Sequence, residues 1–327
     1  MTDRPVGAHA PTAGGLAKAA LPYVDATGAE VVQVFVSNPR GWARSAGDPA
    51  QDAQFVAGCA ERGVAAYVHA TLLVNLGSPT PATVAQSGAA LAHALDRGAV
   101  IGARGVVFHA GSAVTPGPAA TTEMPTASLA SLDRSDARGY APPRPLAAGD
   151  EGAAERALRQ VREVLLPLLD RTAGGDGPRL LVEPSAGGGR SLVARVEQLG
   201  PFLAAVDRHP GLGVCFDTCH AWAAGHDLAS PGGMAATLDA LVAAAGPDRL
   251  WLVHANDSRD GCGSTRDRHQ TVGEGSIGEP GFAELMTHPA TAGVPVIVET
   301  PSVGAAGHAA DIATLRRLRD AGRSAVR

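Results

Sequence analysis

The sequence predicts an α/β chain of the (β/α)8 TIM-barrel class, a single domain over residues 1–327. Two observations lead there. Eight short, apolar, β-branched runs recur along the chain, and Ala/Leu-rich segments with helical spacing separate them. A doubly wound sheet is the competing architecture. The turn after the first run, HAPTAGGLAKA, lacks the G-x-G-x-x-G spacing that such a sheet usually places there.

The runs are PVGAH (5–9), EVVQVFVS (30–37), VAAYVH (64–69), GVVFH (105–109), RLLVE (179–183), LGVCFD (212–217), LWLVH (250–254) and PVIVE (295–299). Most are too continuously apolar for a sheet with one wet face and suit strands buried on both sides. Residues 16–29 have helical spacing but contain Pro22, where that helix is expected to kink or break. The helical pattern returns over 83–103, 154–170 and 312–322. Each run ends in a polar residue: His9, Ser37, His69, His109, Glu183, Asp217, His254 and Glu299. The interval of 74 residues between His109 and Glu183 is the longest. It contains 111–150, rich in Pro, Gly, Ala, Ser and Thr, which reads as a long, flexible inserted loop after strand 4. A second long loop, 256–281, is polar and glycine-rich and follows strand 7, on the face where barrel enzymes keep their working loops.

Composition narrows the functional classes. Apolar residues make up 45% and charged residues 18%, which supports a full core and excludes wholesale disorder. A net charge of −5 excludes a generic polycation, so any grip on phosphate must come from a local patch or from bound cations. There is no run of apolar residues long enough to span a membrane. MTDRPVGAHAP has neither the charged nor the apolar region of a signal peptide, so a cytoplasmic location is expected. Cys59, Cys215, Cys219 and Cys262 form no C-x-x-C pair and read as reduced thiols. Lys18 is the only lysine, and its place in the first helical segment, away from a strand end, disfavours Schiff-base lyase chemistry.

In a barrel the C-terminal strand ends open onto one face, so residues distant in sequence converge. A carboxylate closing LLVE or VIVE follows buried apolar residues and needs a cation nearby. In FDTCH, Asp217 and His220 can both face that bowl. In RDRH, Asp267 and His269 stand two apart, on the same side of an extended segment. The candidate ligands are His69, His109, Glu183, Asp217, His220, His254, Asp267, His269 and Glu299. Five imidazoles and four carboxylates suit Zn²⁺ or Mn²⁺ better than Mg²⁺ or Ca²⁺. Nine donors exceed one ion's needs and suggest about three metals. Clustered metals with open positions serve phosphoryl transfer.

These stretches, above all GVCFDTCHAWAAGHDL (213–228) and HANDS…DRHQTVGEGSIG (254–278), resemble the endonuclease IV family. Its members are zinc-dependent apurinic/apyrimidinic endonucleases (deoxyribonuclease IV) of base-excision repair. The resemblance runs from GAHAPTAGGLAKA to PVIVET. It implies three zinc ions per chain, with Mn²⁺ as an alternative at one site. Glu183 would bridge two of them. His69 and His109 would complete the first, Asp217, His254 and Glu299 the second, and His220, Asp267 and His269 would hold the third. The implied reaction is hydrolysis of the phosphodiester 5′ to an abasic site, leaving a 3′-hydroxyl and a 5′-deoxyribose phosphate, together with removal of blocked 3′ ends. The implied partner is double-stranded DNA containing abasic sites, met by a monomer with no membrane involvement. Arg40, in NPRGW, and Leu73 match family residues that fill the gap in the base stack. Leu72 stands where the family usually has an aromatic, and an aliphatic wedge can still insert between bases. Ala110 replaces a proline common after the His109 strand. Arg44, Arg259, Arg266 and Arg268 are further candidates to follow the DNA backbone.

Two other functions compete. A metal-dependent sugar isomerase or epimerase shares the barrel and a strand-end metal site, so fold alone does not separate it. His220 with the Asp267/His269 pair is surplus to a one- or two-metal isomerase. A degenerate barrel that only binds DNA or a partner would lack one or more ligands, and none of the nine is missing.

Overall fold

The computed structural model describes residues 4–114, 151–172, 174, 177–301 and 304–325. Among them, eight parallel strands close a barrel: β1 (Val6–His9), β2 (Val31–Phe35), β3 (Ala65–His69), β4 (Ala103–His109), β5 (Arg179–Glu183), β6 (Leu212–Asp217), β7 (Leu250–His254) and β10 (Val296–Val298). β1 pairs with β2 on one side and β10 on the other, so the sheet has no edge. Helices between the strands include α1 (Leu16–Thr27), α2 (Pro49–Arg62), α3 (Pro81–Val100), α4 (Glu151–Thr172), α5 (Leu199–Ala205), α6 (Thr218–Ala223), α7 (Gly233–Ala245), α8 (Gly278–Thr287) and α9 (Gly304–Ala325). No helix among the described residues is long and apolar enough to cross a membrane.

The period of two along each strand divides its side chains between two cores. Val32, Val68, Val106, Val182, Val253 and Val298 belong to the large core that also takes in the helices. The alternate residues Val31, Tyr67, Val107, Leu181, Cys215, Leu252 and Ile297 form a separate layer inside the barrel. Two residues further along each strand the same face carries Gln33, His69, His109, Glu183, Asp217, His254 and Glu299. On β1, His9 follows Gly7 in the same way. A Cβ on Gly7 would sit 1.7 Å from the Val31 carbonyl oxygen, so only glycine lets β1 and β2 approach this closely.

Three local expectations are corrected. β2 ends at Phe35, so Ser37 lies in the following loop, with Oγ 3.2 Å from His93 Nε2, and Gln33 occupies the place in the polar ring assigned to it. α1 is continuous through Pro22, so the proline does not break it. The proline removes one backbone donor, while Ala17, Ala20 and Val24 on either side are buried and hold the helix to the core. α3 stops at Val100, and β4 begins at Ala103, before the run that predicted it. Of the inserted loop expected over 111–150, residues 115–150 lie outside the described residues, while Ser112 is bridged to Ser191.

The 256–281 loop has more structure than its composition suggested. β8 (Asp257–Ser258) pairs antiparallel with β9 (His269–Gln270). The fully buried Asp257 carboxylate accepts hydrogen bonds from the backbone N–H groups of Ser258, Gly273, Gly275, Ile277 and Gly278. A Cβ on Gly275 would come within 2.4 Å of Asp257 Oδ1, so the hub requires glycine there.

Candidate metal centre

Glu183 ends β5 with 1% of its surface exposed, and its two oxygens face different neighbours. Oε2 lies 3.3 Å from His69 Nε2 and 3.6 Å from His109 Nε2. Oε1 lies 3.0 Å from His254 Nδ1, which is also 3.3 Å from Glu299 Oε2 and 3.9 Å from Asp217 Oδ2. A third group forms beside it: His220 Nε2 is 3.2 Å from Asp267 Oδ2, and His269 Nε2 is 3.0 Å from Asp267 Oδ1. The donor atoms of His69, His109 and Glu183 lie within 4.8 Å of one another, as do those of Glu183, Asp217, His254 and Glu299, and those of His220, Asp267 and His269. The structure thus brings together all nine residues singled out from the sequence, in three groups of which two share Glu183.

The far side of each imidazole is tied down, which aims the near nitrogen inward. His69 Nδ1–H donates to the Ala70 carbonyl at 2.7 Å, His220 Nδ1–H to the Pro184 carbonyl at 3.1 Å, and His269 Nδ1–H to the Glu299 carbonyl at 3.0 Å. His254 is turned the other way round: its Nε2–H donates to Gln33 Oε1 at 3.0 Å, leaving Nδ1 to face the carboxylates. This is how metal-binding histidines are oriented from outside the coordination sphere. His269 Nε2 is buried without a hydrogen-bond partner, although Asp267 Oδ1 is 3.0 Å away. Two such atoms are placed to share a cation rather than a proton, and the donor set of imidazoles and carboxylates fits divalent ions such as Zn²⁺.

The electrostatics agree. Burial works against charge on Glu183, but His254, His109 and His220 reverse it and hold the carboxyl well below its ordinary range. Burial of Glu299 is likewise outweighed by His254 and His9, and burial of Asp267 by His220 and His269. Burial opposes the charged form of His269, yet Asp267 and Asp217 raise it to about 9. Against burial, His220 is raised by Asp217 and Asp267, and His254 by the neighbouring Cys215 sulfur together with Glu299 and Glu183. His109 moves the other way because burial outweighs Glu183. Glu183, Glu299 and Asp267 are therefore ionised at neutral pH, and the protons on His220, His254 and His269 are those a bound cation would displace. Cys215 and Cys219 lie beside the donors, but burial pushes both thiols up to about 12, so neither is a thiolate in this state.

Two buried amides were missed from the sequence. Gln33 Nε2–H donates to Glu299 Oε1 at 2.6 Å while its carbonyl holds His254. Asn256 Nδ2–H donates to Asp217 Oδ2 at 2.7 Å, and its Oδ1 accepts from the Glu299 backbone N–H at 2.7 Å. The signal for Gln33 was present: it is the one polar residue within VVQVF, and it shares the alternation that places the ligands.

A family model described as a xylose isomerase-like TIM barrel matches residues 21–320. A protein of Streptomyces avermitilis named probable endonuclease 4 is 50% identical over 322 residues, covering 98% of this chain and 92% of the relative. The chain belongs to the endonuclease IV family. A protein of the same name from Streptomyces coelicolor is also 50% identical, with 98% and 97% covered. The crystal structure of endonuclease IV from Thermus thermophilus superposes with a TM-score of 0.75 at 32% identity, covering 97% of this chain and 99% of that one. A D-tagatose 3-epimerase-like protein shares the fold at 13% identity and a TM-score of 0.65.

Set against the endonuclease IV pattern, the rim beside the metal centre is built from two loops stitched together. Leu72 N–H donates to the Pro39 carbonyl at 2.9 Å, and Thr71 Oγ1–H to the same carbonyl at 2.8 Å. Arg40 is exposed next to that joint, Leu72 is 48% exposed, and Leu73 is half-buried. Arg40, Arg44 and Arg259 are exposed and have no ion pair among the described residues. Arg268 forks onto Asp260, which Arg266 also approaches at 3.7 Å, so these two are less available to a phosphate backbone than their positions suggested.

Proposed function

We propose that this DNA-repair endonuclease hydrolyses the phosphodiester 5′ to an abasic site in duplex DNA, leaving a 3′-hydroxyl and a 5′-deoxyribose phosphate, and that it also trims blocked 3′ ends. The observation that carries the proposal is the set of three donor groups with Glu183 common to two of them. His69, His109 and Glu183 would hold one zinc, Glu183, Asp217, His254 and Glu299 a second, and His220, Asp267 and His269 a third. Bound there, the cations supply activation of water and neutralisation of phosphate charge. The chain's own residues do the rest. Glu183 fixes the spacing between the first two groups, and Gln33 and Asn256 hold His254, Glu299 and Asp217 in place.

Selectivity for the lesion rests on the rim. Extruding a nucleotide costs least where base pairing is already lost. Leu72 and Leu73 offer an apolar wedge for the gap, and Arg40 a planar cation that can stack and reach phosphate. The positive charge that a chain of net charge −5 lacks would come from the three cations.

The test is a duplex carrying a tetrahydrofuran abasic analogue, incubated without added Mg²⁺. The proposal expects a nick on the 5′ side of the analogue. The analogue has no aldehyde, so cleavage of a natural abasic strand with the analogue strand left intact would overturn hydrolysis in favour of a lyase.

A further inference from the structure

The barrel's opposite end, where the strands begin, holds a cavity of about 920 Å³ that the metal centre does not use. β5 relates the two ends. Its inward face carries Arg179 at the bottom, Leu181 in the apolar layer and Glu183 at the top, about 13 Å apart from first to last at the usual rise per residue. Tyr67, Leu181, Leu252 and their neighbours close the barrel between the two ends. The cavity and the metal centre are thus separate sites.

Three polar side chains that make no hydrogen bond or ion pair among the described residues line the cavity. Tyr67 is only 6% exposed, lines the cavity, and has no hydrogen-bond partner for its hydroxyl among the described residues. The ring is packed in the barrel while the hydroxyl opens onto the cavity, where it can meet a ligand oxygen. Arg104 and Arg179 come from neighbouring strands, where Gly105 pairs with Arg179; both are exposed residues at the mouth of the barrel and both line the cavity. Neither guanidinium has an ion pair or hydrogen bond among the described residues. Arg179 is held in place over Trp251, its guanidinium carbon 4.6 Å from the ring centroid. Two acids also line the space. Asp239 is occupied by His288 at 3.3 Å, and Asp248 is exposed at the rim, where its backbone carbonyl accepts from Trp251 Nε1–H at 2.7 Å.

We propose that this cavity binds a small organic oxyanion, a phosphomonoester or a carboxylate of sugar size, with the charge on Arg104 and Arg179 and one oxygen accepting from the Tyr67 hydroxyl. Two guanidinium forks match the planar or tetrahedral oxygen edges of such groups. The volume exceeds what a bare ion fills and lies within the range of small-molecule sites, about 300–1,000 Å³. Trp251 and Leu250 supply apolar wall for the ligand's body.

Calorimetric titration of the metal-loaded protein with ribose 5-phosphate, succinate and uncharged ribose tests this. Saturable binding of ribose 5-phosphate or succinate is expected, with none of ribose, and the stronger of the two anions identifies the ligand's charged group. The Arg104→Ala/Arg179→Ala double variant should bind at least about tenfold more weakly, and Tyr67→Phe severalfold more weakly, as loss of charge-assisted hydrogen bonds requires. Both variants should still nick abasic duplex at the parent rate, which also shows that they fold. Binding that persists unchanged in the double variant belongs to the metal centre and overturns the proposal, as does failure of the parent to bind either anion. Loss of nicking in the parent with anion binding intact would count against the proposed nuclease reaction alone.

Discussion

His69, His109, Glu183, Asp217 and His254 close their strands, and strand register alone is enough to gather them. Alternate residues face inward, the apolar layer from Val31 to Ile297 sets the depth, and the next inward position on each strand is polar. His220, Asp267 and His269 reach the same bowl by other means. His220 rides on α6, whose first turn is capped by Asp217 accepting from the His220 N–H at 2.8 Å. Asp267 and His269 arrive on the 256–281 loop, which is pinned by the Asp257 carboxylate. Glu183, at the heart of the strand half, is 1% exposed, whereas the Asp267 side chain on the loop is 56% exposed. The contrast shows that one half inherits its precision from the barrel and the other needs its own scaffold.

The largest expected effect lies where the two metal groups meet. Glu183→Gln should lower nicking of abasic duplex by several orders of magnitude with the melting temperature of the metal-loaded protein little changed. In the proposed reaction Glu183 would be shared by two cations that supply much of the acceleration, and a neutral amide would hold them poorly. Single-turnover cleavage checks this, and activity within tenfold of the parent would remove Glu183 from the site.

Asp257→Ala should separate the halves. It strands the buried backbone donors of Ser258 and Ile277 at a cost of about 1–3 kcal/mol each and leaves three part-buried ones to water, enough to loosen the loop while the barrel keeps its own ladder. The variant is expected to lose the cation held by His220, Asp267 and His269 and to keep the other two, as read by metal analysis beside a far-ultraviolet circular dichroism spectrum like the parent's.

Much of this contrast was visible in the sequence, for a physical reason. A strand buried on both faces has a simple alphabet, so a terminal His or Glu after VVF or LLV stands out, and the closed barrel then guarantees convergence. Asp267 and His269 stand out only through their spacing and the company of His254 and FDTCH, because a polar loop hides a ligand among ordinary charges. Gln33 escaped because the second strand was read as far as Ser37, beyond the polar ring. The Asp257 hub was hidden for another reason. Its partners are backbone N–H groups, which every residue but proline supplies and no sequence pattern marks.

Gln33→Leu tests the supporting shell of the strand half. It removes the acceptor that turns His254 and the donor to Glu299, and outer partners of this kind typically contribute about 10–100-fold to metal affinity. One cation should leave more readily on titration with a chelator. Release identical to the parent's would make Gln33 mere filling.

The smallest effect is expected at the rim. Arg40→Ala should weaken binding to abasic duplex more than to intact duplex at one salt concentration, since only a lesion offers a gap to stack into. Equal losses on both would reduce Arg40 to a phosphate contact.

Metal stoichiometry tests the two-half account most directly. Purified, metal-replete protein should hold three zinc ions per chain, and an Asp267→Ala/His269→Ala variant should hold two, with the barrel's melting transition retained. One ion in the parent, or loss of all the metal from the variant, would contradict a centre assembled from an independent strand half and loop half.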